Sequence, residues 1–148
     1  MRAELFNKVF MEKYELKEDV KVFYVQAKSF PEGVVEAFQT IENIDPSMKQ
    51  RTFYGISNPD QTGTIIYKAA VEEAYEGEGA KYGHKSFVIK KGQYMTETIY
   101  DFMTKIPEIG LSFQRLLTTP QLDMNSSCIE WYKSSKEVMC MVRLKVIE

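Results

Sequence analysis

Apolar residues recur at helical spacing at Leu5, Phe6, Val9 and Phe10, so residues 2–13 read as a short amphipathic helix. The period then changes. Val20-Lys21-Val22-Phe23-Tyr24-Val25-Gln26-Ala27 is dense in β-branched and aromatic residues and reads as a strand. Pro31 suits a first helical turn, and Glu32 beside it complements the helix dipole. Val34, Val35, Phe38 and Ile41 carry an apolar stripe to about Asn43, and Asp45-Pro46 closes the helix. Arg51 to Ser57 and Thr64 to Ala74 read as two strands of a hairpin about the turn Asn58-Pro59-Asp60-Gln61-Thr62-Gly63.

The same order returns in the second half. Phe23-Tyr24 is matched by Ile99-Tyr100, Phe30-Pro31-Glu32 by Ile106-Pro107-Glu108, and Phe53-Tyr54-Gly55-Ile56 by Ile129-Glu130-Trp131-Tyr132. Each match falls at one offset, Tyr24 to Tyr100, so the chain reads as a repeated unit. In the second copy a strand runs from about Ser86 to Phe102 with a bend at Lys91-Gly92. A helix follows from about Pro107 to Leu117. A hairpin then runs over Ser127–Lys133 and Glu137–Val146, turning near Ser134-Ser135. The Gly-rich stretch Gly77–Gly83 joins the halves as a linker, and His84 beside it reads as exposed. The expected fold is α+β: one domain made of duplicated strand–helix–strand–strand units, residues 20–76 and 85–147. It has antiparallel sheets, a central cleft at the pseudo-twofold junction and the short N-terminal helix.

Strand alternation sorts the side chains. Val138, Cys140, Val142 and Leu144 form an apolar row that should face the helix together with Ile129 and Trp131. Cys128, Glu130 and Tyr132 then share the other face with Met139 and Met141, and Cys128 and Cys140 point apart, so no disulfide between them is expected. The repeat sets Tyr54 opposite Glu130, Ile65 with Met141, and Tyr67 with Arg143. The predicted cleft holds Glu130, Tyr54, Tyr67, Tyr132, Met139 and Met141, with Tyr94 and Tyr100 of like parity. Phe38 and Phe113 stand at similar places in the two helices and could close its ends, although core packing is the first expectation for both.

A carboxylate among rings is costly to desolvate without a partner. Either Glu130 lies on a solvated face or pairs with Arg143, or it supplies the countercharge for a cationic, largely apolar ligand. In the second case the Tyr faces add cation–π attraction and the Met side chains an adaptable surface.

Composition narrows the classes. Aromatic residues make up 13% of 148 residues, which suits a ring-lined pocket as well as a core. Net charge is −2 and no basic run stands out, which argues against a dedicated nucleic-acid surface. No apolar stretch is long enough to cross a bilayer, and residues 1–7 lack a signal-peptide pattern, so a cytoplasmic setting is expected. One His and two Cys give no zinc pattern, and no cofactor is expected.

Phe53-Tyr54-Gly55-Ile56, Gly63-Thr64-Ile65-Ile66-Tyr67, Phe87-Val88-Ile89-Lys90-Lys91-Gly92-Gln93-Tyr94 and Ile129-Glu130-Trp131-Tyr132, in this order and spacing, carry a resemblance. The chain resembles the gyrase-inhibitor-like small-molecule-binding domains, which are also the effector-binding domains of bacterial transcription activators. Lys90 to Tyr94 fits the family's opening pattern of the second half without its Pro, and Ile129 to Tyr132 fits its apolar-Glu-x-Tyr pattern. The resemblance implies a duplicated fold, a ligand contact at Glu130 and a bacterial cytosolic setting. It also implies a binding or sensing role toward lipophilic, cationic or aromatic small molecules, with links to multidrug binding and transcription regulation.

About nineteen residues precede the first strand, too few for a helix-turn-helix reader, so a stand-alone member or a fragment is expected, with no direct nucleic-acid contact. A second reading is a hydrolase of electrophilic xenobiotics, with Glu130 as general base and Tyr54 or Tyr67 as proton donor. A third is a protein-interaction modulator, for example of gyrase or a regulator, docking through the Leu5/Phe6/Val9/Phe10 helix.

Overall fold

The computed structural model describes residues 10–146. Eight strands form one antiparallel sheet: β1 (Glu12–Leu16), β2 (Val20–Gln26), β3 (Phe53–Pro59), β4 (Ile65–Glu72), β5 (Lys85–Ile89), β6 (Gly92–Tyr100), β7 (Cys128–Tyr132) and β8 (Glu137–Arg143). Their order across the sheet is β1-β6-β8-β7-β3-β4-β2-β5. Among the described residues three α-helices accompany them: α1 (Val34–Glu42), α2 (Glu78–Lys81) and α3 (Pro107–Leu116). No helix among the described residues is long and apolar enough to cross a membrane.

The connection between β5 and β6 dictates the shape of the sheet. β5 lies at one edge and β6 next to the other, six strand spacings away. Laid flat, that is roughly 29 Å. Only Lys90 and Lys91 join Ile89 to Gly92, and three Cα–Cα steps reach at most about 11 Å. The sheet must therefore curl until its edges approach, giving a half-barrel. Gly92 makes the turn with φ 142°, a conformation open to glycine, and the Arg143 guanidinium packs 3.0 Å from where its Cβ would be. The expected single strand over Ser86–Phe102 is thus two strands at opposite sides of the sheet.

The inner face carries one apolar cluster that includes Leu16, Val22, Tyr54, Ile56, Ile89, Tyr94, Ile129, Met139 and Met141. The outer face carries the helices. Ala37 and Ile41 of α1 pack on Phe23, Tyr67, Ala69 and Val71. Leu116 of α3 packs on Ile99, Val138, Cys140 and Val142, with Ile109 and Phe113 beside it. Ile41, Leu116 and Val138 are wholly buried, each contributing on the order of 1.5–3 kcal/mol.

Two charged pairs fasten loops and helix to this face. Glu78 receives both Arg51 Nη1 (2.6 Å) and Nη2 (2.8 Å), together with the Ala74 N–H at 2.9 Å. Glu97 of β6 receives Ser112 Oγ (2.7 Å) and Arg115 Nη2 (2.8 Å), which clamps α3 to the sheet.

Other expectations need correction. Residues 12–16 are strand β1, not the end of a helix; its Tyr14 and Leu16 alternate inward while Lys13 and Glu15 stay exposed. The remainder of the expected helix, residues 2–9, lies outside the described residues. The Gly77–Gly83 stretch holds helix α2, whose Glu78 and Gly79 are buried, and His84 is half-buried with its ring stacked 6.0 Å from Phe23. Helix α1 begins at Val34, after the turns of Ser29–Gly33, rather than at Pro31.

Candidate functional site

Glu130 sits in the middle of β7, near the centre of the sheet, and its carboxylate lies on the outer face beneath the helices. Its cross-strand partners are Gly55 on β3 and Cys140 on β8. The absence of a side chain at Gly55 makes room for two groups: a Cβ there would lie 2.0 Å from the Tyr67 hydroxyl and 2.7 Å from Glu130 Oε1. Tyr67 donates to Oε1 at 2.8 Å and Tyr132 donates to the same oxygen at 2.5 Å. Neither hydroxyl takes Oε2, and no described residue donates a hydrogen bond to it.

Rings enclose this carboxylate. Phe38 of α1 meets Tyr67 and Tyr132 edge-on at 6.2 and 5.9 Å, and Phe53 at 6.1 Å. Phe30 stacks on Tyr67 at 5.6 Å, and Phe102 leans on Tyr132 at 5.3 Å. Phe30 is 43% exposed, so the wall of rings has an edge in solvent.

Glu130 itself is 7% exposed. Burial pushes its carboxyl above the ordinary value, and the Tyr132 and Tyr67 hydrogen bonds oppose that shift without cancelling it. No cationic side chain enters the balance. Tyr67 and Tyr132 are held well above the usual phenol range, first by burial and then by the Glu130 charge, so both stay protonated and act as donors. Cys140, next to Glu130 across the ladder, is pushed up to about 12 by burial and is an inert thiol at neutral pH. Among the described residues no group of three or more His, Cys, Asp or Glu could hold a metal.

The expected cleft residues divide between the two faces. Glu130, Tyr67 and Tyr132 come together on the outer face, with Phe113 nearby in the α3 cluster. Tyr54, Tyr94, Met139 and Met141 lie on the inner face, on the far side of the sheet. Tyr100 is 63% exposed at the end of β6.

The cause is one residue of register. A two-residue turn at Ser134-Ser135 would set Ile129 and Trp131 with Cys140 and Val138. Instead Lys133 N–H bonds Glu137 O at 3.0 Å around a three-residue turn, which pairs Ile129 with Met141 and Trp131 with Met139. A slip of one residue turns every side chain over. Cys128 and Cys140 therefore share the outer face, both as free thiols. The repeat offset fails in the same way: Tyr54 pairs with Trp131 on the inner face, and Gly55 is the residue opposite Glu130. Arg143 pairs with Asp123 at 3.0 Å and leaves Glu130 alone. Phe30, Phe53 and Phe102 are not among the expected cleft residues. Phe53 shares parity with Gly55 and was legible in principle; Phe30 and Phe102 lie outside strands and α-helices, where no period marks them.

No protein-family model matches the chain, and no curated protein matches it by sequence. Solved structures do match. An integron cassette protein from the mobile metagenome of Vibrio cholerae superposes with a TM-score of 0.67 at 14% identity, over 91% of this chain and 95% of that one. A hydrolase from Listeria innocua gives 0.57 at 11%, over 97% of each chain. The protein SAV2435, solved bound to tetraphenylphosphonium, gives 0.57 at 9%, over 92% of this chain and 94% of that one. At these identities the likeness is one of fold: a curled antiparallel half-barrel with helices on its outer face, an architecture compatible with small-molecule binding.

Proposed function

We propose that this chain is a small-molecule-binding domain of the gyrase-inhibitor-like class, and that Glu130 is the countercharge for a lipophilic cation. The observation that carries this reading is a carboxylate buried among rings, with one oxygen held by two tyrosine hydroxyls, the other without a protein donor among the described residues, and no cationic neighbour. Such a group costs several kcal/mol to ionise in isolation, and a bound cation removes that cost. Each ring face adds roughly 0.5–2 kcal/mol toward a cation. The ligand-bound neighbour lends support, since tetraphenylphosphonium is a cation clothed in apolar rings.

Because Glu130 is only 7% exposed, a ligand reaches it by parting α1, which carries Phe38, from the sheet. Helix α1 is suited to that: it is short, starts at Gly33 without a side-chain cap, and has no basic residue in its last turn. The strand order supports reading residues 20–76 and 85–147 as copies of one unit. From either edge inward it meets an added strand, the strand preceding a helix, and then the hairpin that follows it. On this reading the chain is a cytoplasmic binding or sensing domain.

The first test is a thermal-shift titration with tetraphenylphosphonium. A ligand that binds only the folded state raises the melting temperature with its concentration. The wild type should shift and Glu130→Gln should not; equal shifts in both would remove Glu130 from the site.

A second reading, hydrolysis, rests on the raised Glu130 carboxyl beside two phenols, the pairing a general base and a proton donor require, and on the hydrolase of like fold. Water attack assisted by Glu130, with Tyr132 protonating the leaving atom, would turn over an electrophilic substrate. Product detected by mass spectrometry with the wild type and absent with Glu130→Gln would establish it.

A further inference from the structure

The inner face of the half-barrel holds a cavity of ≈ 540 Å³, on the side of the sheet opposite the Glu130 carboxylate. That volume suits a small organic molecule. Its apolar walls are Phe87 and Ile89 of β5, Tyr94 of β6 and Ile129 of β7. Its polar end is formed by Lys90, Arg143, Asp123, Asn125 and Ser127.

The charges at that end are unequal. Arg143 is fixed in the wall with its side chain 18% exposed. It donates Nε and Nη2 to Lys91 O at 3.2 and 2.7 Å, and Nη1 to Asp123 Oδ2 at 3.0 Å. A guanidinium has five N–H donors, and Arg143 also lies against the Tyr94 hydroxyl, so at most two remain for a ligand. Asp123 is committed in turn, Oδ2 to Arg143 and Oδ1 to the Asn125 N–H at 3.1 Å. Lys90 forms no ion pair among the described residues. Neither does Lys68, whose ammonium lies 5.2 Å from the Phe87 ring centre and 5.3 Å from that of Tyr24. Asp123 answers Arg143, and Asp19 lies at this end with its carboxylate on the Lys91 N–H at 2.8 Å; Lys90 in the lining and Lys68 beside Phe87 are the cations here without an ion pair among the described residues. That is the reverse of the outer face, where the unanswered charge is a carboxylate.

We infer that this cavity is a second binding site, for a small aromatic carboxylate. The ring lies against Phe87 and Ile129, and the carboxylate takes the free N–H groups of Arg143 and the ammonium of Lys90, with the Asn125 amide and Ser127 hydroxyl within its rim. A cation is disfavoured there by Lys68, Lys90 and Arg143. A polyanion lacks room for hydration among the apolar walls. The site does not depend on the role given to Glu130.

The probes are 2-naphthoate and its neutral isostere 2-naphthamide, titrated calorimetrically into the intact chain. The wild type should bind naphthoate about tenfold more tightly than naphthamide, the size of one charge-assisted contact. Lys90→Gln combined with Lys68→Gln should erase that preference; Lys68 lies over the Phe87 and Tyr24 rings, so Lys90→Gln alone, at an exposed side chain, should reduce it in a chain that melts as the wild type does. Glu130→Gln should leave naphthoate affinity as it is, which separates this site from the one on the outer face. Amide shifts on naphthoate addition should concentrate at Phe87, Asn125 and Ser127 rather than at Phe30 and Phe38. Equal affinity for the two probes, no binding of either, or loss of naphthoate binding in Glu130→Gln would each overturn the assignment.

Discussion

Replacing Gly55 by Ala probes the packing on which the Glu130 site is built. The new Cβ would meet the Tyr67 hydroxyl at 2.0 Å, its ring carbon at 2.8 Å and Glu130 Oε1 at 2.7 Å. Ordinary contact begins at 3.4 Å, so the hydroxyl must retreat by more than an ångström, and its 2.8 Å hydrogen bond to Glu130 breaks. Overpacking of this kind costs roughly 1–3 kcal/mol. Loss of a hydrogen bond to a charged acceptor adds about 1.5–3 kcal/mol when nothing replaces it. Against this, Gly55 has no positive φ, so alanine fits the backbone and gains about 0.4–1 kcal/mol through the unfolded chain. The net expectation is a loss of about 1.5–5.5 kcal/mol. It would be read as a lowered urea midpoint with an unchanged slope. Adding Tyr67→Phe removes the atom that clashes most, so the double variant should recover part of the loss, a coupling of order 1 kcal/mol. If Gly55→Ala were as stable as the wild type, the hydroxyl and carboxylate could not be packed over this glycine as described.

Three further outcomes follow from the same geometry. The folded-state carboxyl of Glu130 is raised above 4.5 by burial, so its contribution is greatest below that pH and is lost as pH rises through the raised value. The stability of the wild type relative to Glu130→Gln, from parallel denaturant curves, should therefore fall with rising pH, and a rising difference would reverse the sign. Arg51→Ala leaves the Glu78 carboxylate, 2% exposed, without its guanidinium, and should cost about 3–5 kcal/mol by chemical denaturation. Phe38→Ala removes the ring that touches Phe53, Tyr67 and Tyr132. It should destabilise the chain by about 2–4 kcal/mol and speed amide exchange in Val34–Glu42 more than in Pro107–Leu116.

Much of this fold is legible in the chain because its elements have clear periods and stops. The stripe of Val34, Phe38 and Ile41 marks α1, and Pro107 opens α3 where expected. The hairpins around Asp60–Gly63 and Ser134–Lys136 are marked by turn residues. What pattern does not carry is geometry decided at a distance. The Glu12–Leu16 strand is short and charged, as edge strands often are, and pairs with a strand some eighty residues away. Lys90-Lys91-Gly92-Gln93 marks a bend within Lys85–Tyr100, but nothing local announces that the two halves part to opposite sides of the sheet.

The site shows the same limit. Glu130, Tyr67 and Tyr132 were recognisable as a carboxylate and two phenols. Their separation from Tyr54, Tyr94 and Met141 was not, because it turns on whether the Ser134 turn has two residues or three. That difference does not show in hydrophobic alternation: both Val138, Cys140, Val142 and Met139, Met141 are apolar, so either face of β8 could be taken for the one beneath the helix.

The central claim is that a buried Glu130 carboxyl without a countercharge receives a lipophilic cation. Calorimetric titration with tetraphenylphosphonium in two buffers of different ionisation enthalpy, repeated across pH, tests it directly. Below its raised value the Glu130 carboxyl is protonated and sheds that proton as the cation arrives. Proton release on binding is expected through that range, with affinity that climbs as pH rises above 4.5 and both effects absent in Glu130→Gln. Binding that exchanges no proton and is equally tight in wild type and Glu130→Gln would contradict it.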